Sequence, residues 1–558
     1  MSTKKYRGNK GGSKTRDTKN RRSRNDRSNT NFPRDKESHN DTNMNRDDHL
    51  SSLNDISWYT KYPDLAVAAS QLQFVYKPGM HLNMGVYHDY SKGESFPQYN
   101  QVPIPGIMVL EWYPSVGRSA DGNSPVNMVA REIYDRIRKA YSGTLSVDAP
   151  DLMIYLVSLD SIFSYIGALK RIYRILTSYT PYNFKLPDAL LNALGFTPDT
   201  ITNFHRDRKQ LYSNINELVY MTRRFTCPAV FDYFNRHYWM NDNVYLDSDT
   251  EMGQMYIFRQ RGFYKFNYST DANNVKVGSL VMTEMPSVND VNTLYNFGLS
   301  LIRAMTDEED TMTISGYLAR AYEGSPTFIV EELNEDEKLK LSYVPEVLSQ
   351  IENSMTVNSW DNQFVPNSLN VTQDVSNNAL IHEPQMQTLK SALSKEGFRR
   401  SNFTMRPFIN IHSNNPSPAE VLIASRLTAY VELDTKGDTG TTPTPDYYNV
   451  ICGTEIPVLW RYINNLGLST VLQQVTVVNE SGTADTSTIN LMSYFAMAPF
   501  DWHPFIYFVQ TQDTSNTTLN AQPILYGDIY NITSFSPDQL KQLHRICLFS
   551  EFNAFGQI

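Results

Sequence analysis

Cysteine is scarce in this 558-residue chain: Cys227, Cys452 and Cys547 are the only three, they lie far apart, and their number is odd. That argues against a disulfide framework and for a reducing compartment. No apolar run follows the N-terminus, so a secretory signal is not expected. Long hydrophobic runs are missing too. The nearest, Leu152 to Ala168, is interrupted by Asp160 and closed by Lys170 and Arg171, which argues against stable membrane insertion. There is no internal repeat and no long linker that would separate domains cleanly.

Familiar catalytic spacings are also lacking. Gly8-Asn9-Lys10-Gly11-Gly12-Ser13-Lys14-Thr15 approaches a phosphate-binding loop, but Ser13 stands where the second glycine belongs and no strand precedes it. His205-Arg206-Asp207 has the opening of a kinase catalytic loop, yet the position five beyond the aspartate is Tyr212 rather than Asn. An exposed helical turn is the plainer reading. Asp247, Asp249 and Glu251 begin like a calcium loop, but Met252 and Phe258 occupy its turn and closing positions, so a charged hairpin is expected. The histidines and cysteines give no zinc spacing. The expectation is a protein that is not an enzyme, with no metal and no cofactor.

What the chain does have is a charge contradiction. Lys4, Lys5, Arg7, Lys10, Lys14, Arg16, Lys19, Arg21, Arg22, Arg24 and Arg27 face only Asp17 and Asp26 within residues 1–27, nine net positive charges. Residues 1–49 carry a net +7, while the whole chain carries −9, leaving −16 on residues 50–558. With Phe32 and Met44 nearly the only sizeable apolar side chains in the first 49 residues, burial cannot offset the ~1–2 kcal/mol per residue that ordering a backbone costs. A disordered basic arm, 1–49, that binds RNA or DNA without reading sequence is the expectation, and the eleven cations are its candidate contacts. A solubilising tail or a basic targeting signal is the plainer alternative.

The body is rich in aromatics, with 35 Tyr and 27 Phe, and is too long for one ordinary core. Residues 51–112 read as irregular extended structure punctuated by Pro63, Pro78, Pro97, Pro103 and Pro105. Ser124 and Pro125 open a helix that Gly143 ends. A second, from Asp148 to about Ser178, is apolar nearly all round and should be the central buried helix. Lys170, Arg171 and Arg174 in its last turns suit the helix dipole on an exposed surface, or alternatively face an enclosed nucleic acid. Helices are expected at 187–194, 198–224, 289–305, 312–322, 418–432, 455–465 and 537–549, and strands at 244–246, 254–259, 262–268 and 278–283. Residues 473–478 and 489–496 suggest a hairpin about Asn479-Glu480-Ser481-Gly482. Residues 324–400, rich in amides and acids, are expected outside the main core.

Four stretches carry a resemblance. Asn235-Arg236-His237-Tyr238-Trp239-Met240-Asn241-Asp242-Asn243-Val244-Tyr245-Leu246-Asp247 resembles a segment of picobirnavirus capsid proteins. So do Trp58-Tyr59-Thr60-Lys61-Tyr62-Pro63, the run Leu169 to Leu176, and the run Leu186 to Gly195. On the residues alone, the first stretch reads as a packed, hydrogen-bonded junction without a ligand. The resemblance implies an α+β capsid fold: a predominantly α-helical shell domain, placed at 50–240 and 415–558, and a smaller strand-containing projecting domain, placed at 241–414. It further implies homodimers that assemble into an icosahedral shell around double-stranded RNA and the viral RNA polymerase, in a virion built in the host-cell cytoplasm. In some family members the N-terminal segment is removed by processing; no cleavage signature is recognisable in this sequence. The competing class is a non-capsid RNA-binding scaffold protein with a basic tail.

Overall fold

A helix that is apolar on every face has to be surrounded, and residues 149–177 form one. A computed structural model describes residues 58–554 apart from 73, 75, 85–99, 105, 180–184, 271–275, 358–361, 366, 389–406, 435–445, 464–468, 473, 480–496 and 512–521. The chain comprises two compact units, 1–73 and 74–558. The first contributes α1 (Pro63–Ser70). The second continues with β1 (His81–Met84), β2 (Asn100–Pro103), β3 (Ile107–Pro114), α2 (Pro125–Ala140), α3 (Ala149–Thr177), α4 (Leu186–Ala193), α5 (Pro198–Arg206), α6 (Arg208–Thr222) and α7 (Asp232–Asp242). Then come β4 (Val244–Leu246), β5 (Met255–Gln260), β6 (Gly262–Thr270), β7 (Lys276–Glu284), α8 (Val291–Thr306), α9 (Glu309–Ala321), β8 (Leu341–Ser342) and α10 (Pro345–Glu352). Short strands follow: β9 (Asn362–Phe364), β10 (Thr372–Asp374), β11 (Ala379–Ile381), β12 (Gln385–Thr388) and β13 (Phe408–Ile411). The last part holds α11 (Pro418–Ser425), β14 (Ala429–Asp434), β15 (Asp446–Ile451), β16 (Glu455–Ile463), β17 (Ser469–Leu472), β18 (Val475–Asn479), β19 (Ile506–Thr511), β20 (Gln522–Tyr526), β21 (Asn531–Ser534) and the C-terminal helix Pro537–Glu551.

The mixed α+β class is as expected, and α3 is the central helix. It is long and apolar enough to cross a membrane, but nearly all of it is buried inside the protein. α2, α6, α7, α8 and the β6–β7 hairpin pack round it, and Ser161 Oγ accepts from the Tyr264 amide at 2.9 Å, tying hairpin to helix.

Against α3 lies a six-stranded sheet in the order β17-β16-β3-β5-β4-β8, with β3 and β5 parallel and β16 and β3 antiparallel. Its strands come from 107–114, 244–260, 341–342 and 455–472, so the sheet draws together both stretches expected to form a shell and the stretch expected to project. A second, four-stranded sheet, β14-β15-β12-β9, likewise mixes residues from either side of 414.

Several expectations are corrected. Residues 51–112 are not uniformly irregular: Pro63 starts α1 at its first turn, and the Ala-rich Asp64–Ser70 favours a helix. β3, from the same stretch, is buried at all eight positions. Ser124 does not cap α2; its Oγ accepts from the amides of Ala120 and Asp121 and closes the preceding turn. α2 ends at Ala140, where Tyr141 turns to extended backbone, before Gly143 is reached. The helix expected over 198–224 breaks at Asp207 into α5 and α6. That over 418–432 stops at Ser425, and β14 begins at Ala429.

The helix expected over 455–465 is the strand β16. A bulge between Pro457 and Leu459 inserts one residue into its pairing with β3. The strand is buried at eight of its nine positions, so it shows no two-residue alternation, and Val458, Leu459 and Tyr462 fall at spacings that a helix face also gives.

Residues 324–400 do not lie outside the core. Val330, Leu333, Val371 and Leu380 join the cluster round α3, and Val347, Leu348 and Ile351 of α10 join the one beneath the sheet. Their apolar side chains are spaced too irregularly to show a period. β18 pairs with β19, parallel; the rest of the hairpin expected there, 480–496, falls outside the described residues.

Candidate functional site

α7 buries Tyr233, Phe234, His237, Met240 and Asn241, one stripe of a helix, and leaves its charged residues at the margins of that stripe. The stripe faces α3. His237 Nδ1 lies 2.6 Å from Asp160 Oδ2, and its Nε2 lies 3.1 Å from Thr454 Oγ1 and 3.7 Å from Glu455 Oε1. Glu455 accepts from Arg426 at 3.0 and 3.1 Å and pairs with Arg236. Arg426 also pairs with Glu551 at 2.5 Å, and Arg236 donates to Gln350 Oε1 at 2.8 Å. Asp160, His237, Thr454 and Glu455 are all withdrawn from solvent. Gly453, at φ +109°, makes room: a Cβ there would lie 2.7 Å from the Arg426 guanidinium.

The electrostatics are those of a closed, compensated junction. Burial pulls the His237 imidazole down, but the Asp160 carboxylate with its hydrogen bond, then Glu455 and Glu551, outweigh it and raise its pKa above the ordinary value. Burial alone would lift Glu455; Arg236 and Arg426 outweigh it and hold the carboxyl well below its usual range. Thr454, His237 and Asp160 follow the order hydroxyl, imidazole, carboxylate of a nucleophilic triad. The chemistry differs: the Thr454 hydroxyl donates to Glu551 Oε2 at 3.3 Å. No substrate reaches residues this deeply buried.

The three cations at the end of α3 are a second correction. Lys170 donates to the Glu331 carbonyl at 3.0 Å. Arg171 spreads its guanidinium over the carbonyls of Met240 (3.3 Å), Asn243 (3.2 Å) and Phe258 (2.8 Å). Arg174 Nε donates to Glu337 Oε1 at 2.6 Å and pairs with Asp242. Lys170 and Arg171 are buried, so these cations neither lie on an exposed surface nor face an enclosed nucleic acid. Arg171 fastens the carbonyls at the end of α7, which have no helical partner, to α3, while Lys170 and Arg174 tie α3 to the 331–337 segment.

Other sequence candidates resolve as local structure. Asp247 accepts from the amides of Gln254 (2.9 Å) and Asp501 (3.3 Å), closing a turn rather than starting a calcium loop. Among the described residues no group of His, Cys, Asp and Glu is arranged to hold a metal ion. His205-Arg206-Asp207 lies at the α5–α6 break, with Arg206 and Asp207 paired in solvent. The eleven arm cations, Lys4 to Arg27, and the loop at 8–15 lie outside the described residues.

One surface feature is left. Trp58, Tyr59, Tyr62, Leu65, Val67 and Leu72 in the first unit are each more than half exposed, and Phe74 beyond it is 85% exposed. α1 has no buried residue at all. The sequence reading of 235–247 as a packed, hydrogen-bonded junction fits Arg236, His237 and Asn241, but its ionic partners Asp160, Arg426, Glu455 and Glu551 were not found; their one signal was Asp160 inside the most apolar stretch of the chain.

Comparison with known proteins places these features in a family. A relative described as a capsid protein precursor from Human picobirnavirus (strain Human/Thailand/Hy005102/-) is 26% identical over 530 residues, covering 90% of this chain and 91% of its own. The crystal structure of the picobirnavirus capsid superposes with a TM-score of 0.72 at 22% identity over 90% of this chain and 100% of the other, a likeness of fold. The family model described as Picobirnavirus, Capsid protein matches residues 58–480. The chain, a self-associating component of a virion, therefore belongs to the picobirnavirus capsid protein family.

Proposed function

We propose that the protein pairs into dimers that close into an icosahedral shell round double-stranded RNA, and that the arm 1–49 recruits the RNA. The observation that carries the assembly reading is the set of exposed apolar side chains on the first unit, Trp58, Tyr59, Tyr62, Leu65, Val67 and Leu72. Burying a large apolar side chain is worth ~1.5–3 kcal/mol, and a contiguous set left in water marks an interface. A second copy is the occupant that a shell supplies. The arm lies on the N-terminal side of these residues, so seating 58–72 on a neighbour would anchor the arm beside the interface.

The reading extends to the arm's cations, Lys4, Lys5, Arg7, Lys10, Lys14, Arg16, Lys19, Arg21, Arg22, Arg24 and Arg27, as sequence-independent phosphate contacts. A body of charge −16 would keep packaged duplex from adhering along its length, leaving it free to move past an enclosed polymerase. Assembly in the host cytoplasm agrees with three unpaired cysteines. A projecting part is retained within 241–414, without β4, β5 and β8, which belong to the central sheet. No catalytic step is assigned to any residue.

The test is sedimentation of nuclease-treated full-length protein with absorbance at 260 and 280 nm. Closed particles holding protected nucleic acid are the expected result. A monomer or dimer across salt and pH conditions would sink the shell. Equal packaging by protein lacking residues 1–49 would sink the recruiting arm.

A further inference from the structure

Cys452 and Cys547 are 95 residues apart in sequence, yet their sulfurs lie 3.9 Å from one another. Cys452 follows the end of β15, and Cys547 is in the C-terminal helix. The two share a cluster with Ile409, Val450 and Leu540. A disulfide needs ~2.05 Å between sulfurs, about 2 Å less than this separation.

We propose that this dithiol is an oxidisable lock, which a small-molecule disulfide converts to a Cys452–Cys547 bridge tethering the C-terminal helix to β15. The roles are unequal. Cys452 is fully withdrawn from solvent, and Cys547 retains slight exposure. A hydrogen bond from Cys452 lowers the Cys547 thiol, burial opposes this, and the Arg426 guanidinium favours the thiolate. The hydrogen bond to Cys547 raises Cys452, and burial adds to it. The pair is therefore a nucleophile and a resolving thiol.

Cys547 thiolate attacks one sulfur of the reagent, RSSR, and expels one RS⁻, leaving a mixed disulfide on Cys547. Cys452, its proton taken up by that RS⁻, attacks Cys547 Sγ and expels the second RS⁻, which takes up the proton first released by Cys547. Two protein thiols and one RSSR become one bridge and two RSH; the protein is oxidised and the reagent reduced. Access is through local opening of the C-terminal helix. Cys227 has no such role: it is buried in the core cluster round α3, where burial raises its thiol well above the ordinary value.

The chemistry stands apart from assembly. Its use, staying open in a reducing cell and closing outside it, rests on the virion reading.

Full-length protein, assembled and unassembled, is incubated with glutathione disulfide for a day, and its thiols are counted and its peptides mapped. The expected result is a fall from three thiols to one, a linked peptide pair holding Cys452 and Cys547, reversal by dithiothreitol, and a rise in Tm of about 4 °C. Cys227→Ala should keep the bridge and Cys547→Ser should lose it. Three surviving thiols, a stable mixed disulfide, or linkage between chains would overturn the proposal. The thiol count and peptide map are taken on wild-type protein, so they decide the matter even where a variant fails to fold. Bridge formation in unassembled protein alone would uphold the lock and count against its use in the particle.

Discussion

Asp160 of α3 and His237 of α7 meet at 2.6 Å with both side chains removed from solvent. The contact joins the central helix to the one that packs on it most extensively. The imidazole is held from its other side by Thr454 and Glu455, so polar groups of three distant chain segments meet in one buried junction.

Breaking that pair should cost more than its formation gains, because a charge is left buried alone. Asp160→Asn is expected to destabilise the protein by about 3 kcal/mol. His237 has its pKa raised in the folded state, so its stabilising contribution is present below its ordinary value of about 6.5 and fades as pH rises through the folded value. The deficit of Asp160→Asn should thus shrink as pH rises above the ordinary histidine value, as read by denaturant unfolding across a pH series.

Two other buried histidines act with the opposite sign. His382 accepts at Nε2 from Ser115 Oγ (2.9 Å) while Nδ1 donates to the Asn370 carbonyl (3.2 Å), and burial lowers its pKa to about 4. His544 Nδ1 accepts from the Gly453 amide at 3.1 Å; burial, then Arg426, lower it to about 4. Protonating His544 would set donor against donor at the Gly453 amide, and in both histidines burial disfavours the charged form. Both are neutral when folded but would charge below pH ~6.5 when unfolded, so stability should fall from pH 6.5 to 4, by up to ~3 kcal/mol per histidine. Unfolding at pH 7, 6, 5 and 4 tests this; a flat profile would refute it.

Arg171→Met should cost about 3 kcal/mol, since the carbonyls of Met240, Asn243 and Phe258 lose a charged donor in a dry site. Arg171→Lys should recover only part, because an ammonium cannot reproduce the planar fork. Thermal melting of the two variants beside wild type distinguishes them.

Leu65→Asp combined with Leu72→Asp should leave the melting of the unassembled protein within ~0.5 kcal/mol of wild type, both positions being exposed. Particle yield, counted by electron microscopy, should collapse. Normal particles from this variant would remove the proposed interface.

Duplex RNA affinity should fall by roughly 10³-fold or more between 50 and 200 mM salt if six to ten arm cations engage phosphate. Deleting residues 1–27 should flatten that slope in a filter-binding titration. A slope unchanged by the deletion would place binding elsewhere on the chain.

Long periodic helices were legible in the sequence: α2, α3, α8 and the C-terminal helix lie within a few residues of their expected bounds. Short strands with uninterrupted alternation, β4 to β7, were legible too. β16 was not, because it is buried on both faces and carries no two-residue alternation to tell it from a buried helix. α10 and the core residues Val371 and Leu380 were missed because they are apolar islands in a polar stretch. Arg171 was assigned to the helix dipole because its sequence position near a helix end is equally consistent with a dipole role and with a buried clamp.

By itself the sequence determined the charge split between arm and body, the apolar central helix and the family, since each depends only on which residues occur and in what local order. Tertiary structure alone decided what the charged residues of the body do. Asp160, His237, Arg426, Glu455 and Glu551 become one junction, and Cys452 meets Cys547, because the chain returns to one place from tens to hundreds of residues away. Pairing at that range depends on which faces the core buries together, and no local spacing encodes it.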